Sequence, residues 1–104
     1  MSARIENIAK AVERAAGCAA AHLESVVVVE TFRGQTMWEG VVEIFTLQGH
    51  AKATRAYGWQ TGKGEAANYT AVLELPPVDS PNTAVRASIV AESMKNKNVS
   101  QYIF

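Results

Sequence analysis

The sequence predicts an α+β domain: a four-stranded antiparallel meander sheet with N-terminal and C-terminal helices, in the order α-β-β-β-β-α. Three observations carry this reading. Apolar residues recur at three- and four-residue spacing over residues 4–24. Four β-branched or alternating runs follow, separated by short glycine-bearing turns. The segment PPVDSP, 76–81, then stops the sheet and opens a second helical pattern.

The first helix is expected over 4–24. Ile5, Ile8, Ala9, Val12, Ala15, Ala16, Ala19 and Leu23 share one face, and Glu6, Lys10, Glu13, Arg14, Gly17 and Glu24 lie opposite. Cys18, the single cysteine, falls inside this stretch and reads as a buried or half-buried thiol. Val26 to Phe32 is β-branched and predicts the first strand, and RGQT, 33–36, supplies its turn. Trp38–Leu47 and Ala51–Gln60 are the next strands, joined by QGH. The loop TGKGE, 61–65, leads to a fourth strand over 67–75, where Tyr69, Ala71, Leu73 and Leu75 alternate with Asn68, Thr70 and Glu74. Ser80 is a good N-cap and Pro81 suits the first helical position, so a second helix is expected from Pro81 to about Lys95. Its apolar residues cover most of the circumference, leaving Asn82, Arg86 and Ser93 as a narrow polar edge. KNKN, 95–98, is expected to end it. The tail at 99–104 carries Tyr102, Ile103 and Phe104 and is expected to dock on the domain or on a partner.

A chain of 104 residues is one small domain, residues 1–104, with no repeat or linker. Its 48% hydrophobic content excludes a disordered chain. The formal net charge is zero and no basic run exceeds two residues, which disfavours nucleic acid as a partner. The VVVV run at 26–29 is too short to span a membrane, and no targeting segment is convincing, so a soluble cytoplasmic protein is expected. The sequence implies no cofactor. It contains no HExxH, CxxC, GxGxxG or GxxxxGK[ST] pattern, and its two histidines, His22 and His50, lie far apart, so no metal site is expected.

Candidate site residues cluster in EIFTLQGHAKATRAYGWQ, 43–60. A three-residue loop at 48–50 sets Phe45 opposite Ala53, Glu43 opposite Arg55 and Val41 opposite Tyr57. It keeps the apolar residues of both strands on one face. Continued through the GKG loop, the same register sets Tyr57 opposite Tyr69 and Trp59 opposite Ala67. Glu43, Arg55, Tyr57, Trp59 and Tyr69 then share a face, with His50 at the hairpin tip. A charged pair among tyrosines reads first as a structural salt bridge and second as the floor of a small-molecule pocket. Strand two is apolar on both faces, with Val42 and Ile44 against Val41 and Phe45, which implies that the second face is also covered, another subunit being the candidate cover.

The strings VVEIFTLQGHAKATRAYGW and VLELPPVDSPNTAVRASIVAE resemble small bacterial proteins of the kind carried as integron or mobile gene cassette products. The resemblance rests on Glu43, Phe45, Leu47, Gly49 and His50, on Tyr57 and Trp59, and on Pro76, Pro77, Ser80 and Pro81. A proline often follows the histidine in those proteins, where this chain has Ala51. The resemblance implies a bacterial, cytoplasmic, self-associating α+β protein and brings no chemistry with it. The leading functional expectation is a non-enzymatic module that self-associates, a dimer being the favoured homo-oligomer. A small molecule or a protein is its further expected partner. The alternatives are a small enzyme with an acid–base site around Glu43, Arg55 and Tyr57, and nucleic-acid binding through the sheet aromatics.

Overall fold

The structure, a computed structural model, describes the backbone of residues 2–100 and the side chains of residues 2–91. It is an α+β fold with the element order α1 (Ala3–Ala16), β1 (Ala19–Phe32), β2 (Gln35–Gln48), β3 (Arg55–Thr61), a 3-10 turn (Gly64–Ala66), β4 (Asn68–Leu73) and α2 (Pro81–Ser100). The four strands form one antiparallel sheet in the order β1-β2-β3-β4. No helix among the described residues is long and apolar enough to cross a membrane.

Helix α1 begins where Ser2 Oγ accepts a hydrogen bond from Ile5 N. It ends at Gly17, whose left-handed φ of 72° lets its N–H reach Glu13 O. The helix therefore stops eight residues before the expected Glu24. Ala19 to Glu24 is strand instead, paired with Ile44 to Gln48. Alanine has the highest intrinsic helix preference, but such preferences are small per residue, and the ladder with β2 overrides them. Cys18 sits in the connection between α1 and β1, half-buried. At the other end, Ser80 Oγ accepts from Thr83 N and caps α2 as expected. Helix α2 continues through 95–98 to Ser100, past the expected break. Tyr102, Ile103 and Phe104 lie outside the described residues, and so does the expectation that the tail docks.

Both sheet faces are covered from within the chain, one helix to each. Ile8 and Val12 of α1 pack with Phe45, Ala56, Ala20, Leu47, Ala71 and Leu73. Ala84 and Val85 of α2 pack with Val28, Val42, Ile44, Tyr57 and Trp59 on the opposite face. Gly58 lets α1 approach β3 closely, since a Cβ there would meet Ile8 Cγ2 at 2.5 Å and Val12 Cγ2 at 3.1 Å.

The strand register differs from the expected one. Strand β3 begins at Arg55, and Glu43 faces Gly58, Ile44 faces Tyr57, Phe45 faces Ala56 and Thr46 faces Arg55. The connection from 49 to 54 is a compact turn rather than the start of a strand. Leu47 N donates to Thr54 O at 2.9 Å, and His50 holds the backbone inside. The next hairpin is displaced likewise, with Trp59 opposite Thr70 and Gln60 opposite Tyr69. Each displacement is an odd number of residues, so each reverses which residues share a face.

Candidate functional site

Glu43 is the most constrained polar residue on the α1 face. It is fully buried on β2, and its partner is not Arg55. Arg4 Nη2, in the first turn of α1, donates to Oε2 at 2.7 Å. His22 Nε2 and Ser25 Oγ, both on β1, bond Oε1, the histidine at 2.7 Å. An ionised carboxylate only accepts, so His22 carries its proton on Nε2. The β1 ladder shifts register between His22 and Glu24, and this bulge brings His22 and Ser25 to the same oxygen. The His22 ring also meets Phe45 edge-on at 5.4 Å. Burial pushes the Glu43 pKa up. The bonds from Ser25, Arg4 and His22 outweigh it and hold the carboxyl below the ordinary carboxylate range. Arg4, Ser25 and His22 each direct one donor at the carboxylate, and Glu43 lines neither the apolar groove nor the polar cleft described below. The arrangement anchors α1 and the β1 bulge to β2. The carboxylate itself is sealed from solvent, while Arg4 and His22 reach the surface in part.

The other expected residues separate. Tyr57 is buried on the α2 face, and its hydroxyl donates to Glu74. Burial first, then the neighbouring Glu74 carboxylate, pushes the Tyr57 pKa above the ordinary tyrosine range. Arg55 is exposed at the start of β3. Tyr69 lies on the α1 side, where its hydroxyl accepts from Asn7 Nδ2 at 3.3 Å. His50 is a turn-former: its Nδ1 accepts from Lys52 N at 3.0 Å and Ala53 N at 2.8 Å. The structure thus divides the expected constellation of Glu43, Arg55, Tyr57, Trp59 and Tyr69 between two faces. Tyr57 and Trp59 lie beneath α2, so the sheet offers no open stacking platform there.

Sequence reasoning missed the partners of both buried acids. Glu30 on β1 accepts from Arg86 Nε at 2.6 Å and Asn82 Nδ2 at 2.9 Å, which ties β1 to α2. The bond from Arg86, then that from Asn82, lowers the Glu30 pKa. These partners lie more than fifty residues apart in sequence, and no local pattern announces them. Among the described residues no group of three His, Cys, Asp or Glu could hold a metal ion.

Two surface features remain open. One is the outer edge of β1, a 14-residue strand with β2 on one side and, among the described residues, no strand on the other. Val27 and Val29 are 71% and 46% exposed on the side facing away from α2, beside the exposed Val41 of β2. Near the β1–β2 turn, Phe32 and Met37 join Val90 of α2 around an apolar groove of about 310 Å³. The other is a polar cleft of about 550 Å³ on the α2 side, between Trp38, Trp59, the β3–β4 hairpin and α2. Comparison with protein families, with curated proteins and with solved structures gives no match for this chain.

Proposed function

We propose that this chain is a non-enzymatic module that associates with a second copy of itself through the open edge of β1. The observation that carries the reading is the exposure of Val27 and Val29 on a long edge strand. Edge strands in proteins that stay monomeric are commonly blunted by lysine, proline or short length. From Ser25 to Phe32 this strand has no lysine and no proline. The other edge, β4, has only six residues and lies against α1.

The strand is also complementary to itself. A two-fold axis perpendicular to the sheet at Val28 sets Val27 opposite Val29, Val26 opposite Glu30 and Ser25 opposite Thr31. An axis at Val27 would set Glu24 opposite Glu30 twice, and directly opposed like charges destabilise. The Val28 axis avoids this and, short of the register shift between Glu30 and Thr31, builds a ladder of about five hydrogen bonds, each contributing ~1 kcal/mol net. Immobilising two chains costs a similar order, so the ladder alone roughly breaks even, and four valines, two from each copy, at up to ~2 kcal/mol each supply the surplus that a micromolar dimer needs. Such a module agrees with the self-association implied by the resemblance to cassette-encoded proteins.

Sedimentation velocity over a concentration series tests the reading. The wild-type chain is expected to move from monomer to dimer in the micromolar range. Val27→Lys with Val29→Lys places lysines directly opposite one another on both sides of the axis. Two lost valine pairs and two opposed charges amount to ~2 kcal/mol, or about a thirtyfold weaker dimer. A wild-type chain that stays monomeric at high micromolar concentration sinks the proposal. So does a double variant that dimerises as the wild type does.

A further inference from the structure

The cleft beside Trp38 and Trp59 has a structural cause. Strands β2 and β3 are paired only from Glu43–Gly58 to Thr46–Arg55. Beyond that point β2 continues with β1, and β3 continues with β4. The sheet forks, and the two indoles stand in the fork on the α2 side. Trp38 lies across Gly40, where a Cβ would meet its Cη2 at 2.9 Å. It meets Trp59 edge-on, with centroids 5.6 Å apart and an interplanar angle of 69°.

The remaining walls carry a consistent chemistry. Thr61 on β3, Asn68 and Thr70 on β4, and Ser88 and Ile89 on α2 line the cleft, and among the described residues none of the lining is charged. Among the described residues, the side-chain hydroxyls of Thr61, Thr70 and Ser88 make no side-chain hydrogen bond, and neither indole N–H does. No described buried side-chain N or O atom lacks a hydrogen-bond partner, so these groups are open to solvent rather than sealed in. Neutral hydroxyls both donate and accept, and an indole adds an apolar face with one polar edge. The volume lies within the range of ordinary small-molecule sites, roughly 300–1,000 Å³.

We infer that this cleft is a binding site for a small uncharged polyhydroxylated ligand, a neutral sugar of one or two rings. The C–H face of such a ring stacks on Trp38, and its hydroxyls pair with Thr61, Asn68, Thr70 and Ser88. A charged ligand would find no countercharge among these residues. The inference stands independently of the β1 edge, which lies on the far side of β2.

Trp38 and Trp59 are the only tryptophans of the chain, so intrinsic tryptophan emission reports on this cleft alone. The intact chain is titrated with D-glucose, D-galactose and maltose, and with D-glucuronate as the charged comparison, with calorimetry in parallel. A saturable change with at least one neutral sugar is expected, with millimolar affinity and weaker binding of glucuronate. Thr70→Val with Ser88→Ala keeps shape and secondary-structure preference and removes two hydroxyls. It is expected to weaken binding about tenfold or more while leaving circular dichroism unchanged. No saturable response to any neutral sugar overturns the inference. Glucuronate binding as tightly as glucose, or unchanged affinity in the folded double variant, overturns it equally.

Discussion

Replacing Glu43 by glutamine tests whether its carboxylate is architecture. The side chain keeps its shape, loses its charge and exchanges one acceptor oxygen for an amide N–H₂. Three donors converge on the wild-type carboxylate, from Arg4, His22 and Ser25. A hydrogen bond to a charged group contributes about 1.5–3 kcal/mol, and a neutral one about 0.5–1.5. The loss is therefore ~1 kcal/mol per bond, least for Arg4, whose side chain is 40% exposed and partly screened by water. One donor also comes to face the new amide N–H₂ and loses its acceptor. Relief from burying a charge offsets part of this. The net destabilisation expected is about 2–3 kcal/mol, or roughly a 10–20 °C lower Tm for a chain of this size. Urea unfolding followed by circular dichroism measures it, with an unchanged slope confirming a two-state comparison. The pH dependence supplies a second reading. Glu43 has a lowered folded-state pKa, so its stabilisation is present above the ordinary glutamate value of about 4.3 and is lost as pH falls through the folded value. The gap between wild type and Glu43→Gln should therefore narrow in acid. A gap below about 0.5 kcal/mol at neutral pH, the usual range for surface substitutions, would refute the reasoning.

Gly58→Ala drives a Cβ into Ile8 and Val12 and should cost about 1–3 kcal/mol by overpacking, measured by thermal unfolding. Tyr57→Phe removes the bond to Glu74 and should cost about 1–2 kcal/mol at neutral pH. Because the Tyr57 pKa is raised, the wild type alone loses stability as pH climbs above the ordinary tyrosine value of about 10 toward the folded value. The variant should lack that loss in alkaline denaturation curves. Val28→Thr buries a hydroxyl beneath α2 and should cost about 1–3 kcal/mol, whereas Val27→Thr, on the exposed face, should stay within about 0.5 kcal/mol. Equal effects at 27 and 28 would show that the faces of β1 are assigned the wrong way round.

The identity and order of the elements were legible in the sequence, because alternation, turn glycines and the Ser80–Pro81 start of α2 are local signals. The face of each strand was not. Residues 51–54 read as strand when taken one by one, since Ala51, Ala53 and alternating polar residues imitate one. The backbone there is held by His50 Nδ1, a side-chain acceptor that no alternation pattern reveals. Pairing Glu43 with Arg55 would have kept the apolar sets together. The structure instead gives Glu43 partners from α1 and from the bulge of β1. The early end of α1 was legible in principle. Gly17 after Arg14 is a helix stop signal, but the alanines beyond it continued the helical period. The two-sided apolarity of β2 correctly implied a second cover, which α2 supplies from within the chain.

The exposed valines of β1 follow from a mismatch in length. β1 and β2 have 14 residues each, while β3 has seven and β4 six. Twisted and bulged, the first hairpin runs along most of the molecule's 42 Å length, roughly twice the reach of the second. Helix α1 also has 14 residues, but at 1.5 Å per residue it is only ~21 Å long. It lies over β3, β4 and the Ala20 end of β1, and cannot also reach Val27, Val29 and Val41. On the opposite face α2 reaches Val28 and Glu30, so the even-numbered residues of the VVVV run are covered and the odd ones are not. At Trp38 and Trp59 both strands are present but diverge, β2 staying with β1 and β3 with β4, which leaves a polar recess where the hairpins part. The apolar margin lies where the longer hairpin extends beyond its helix.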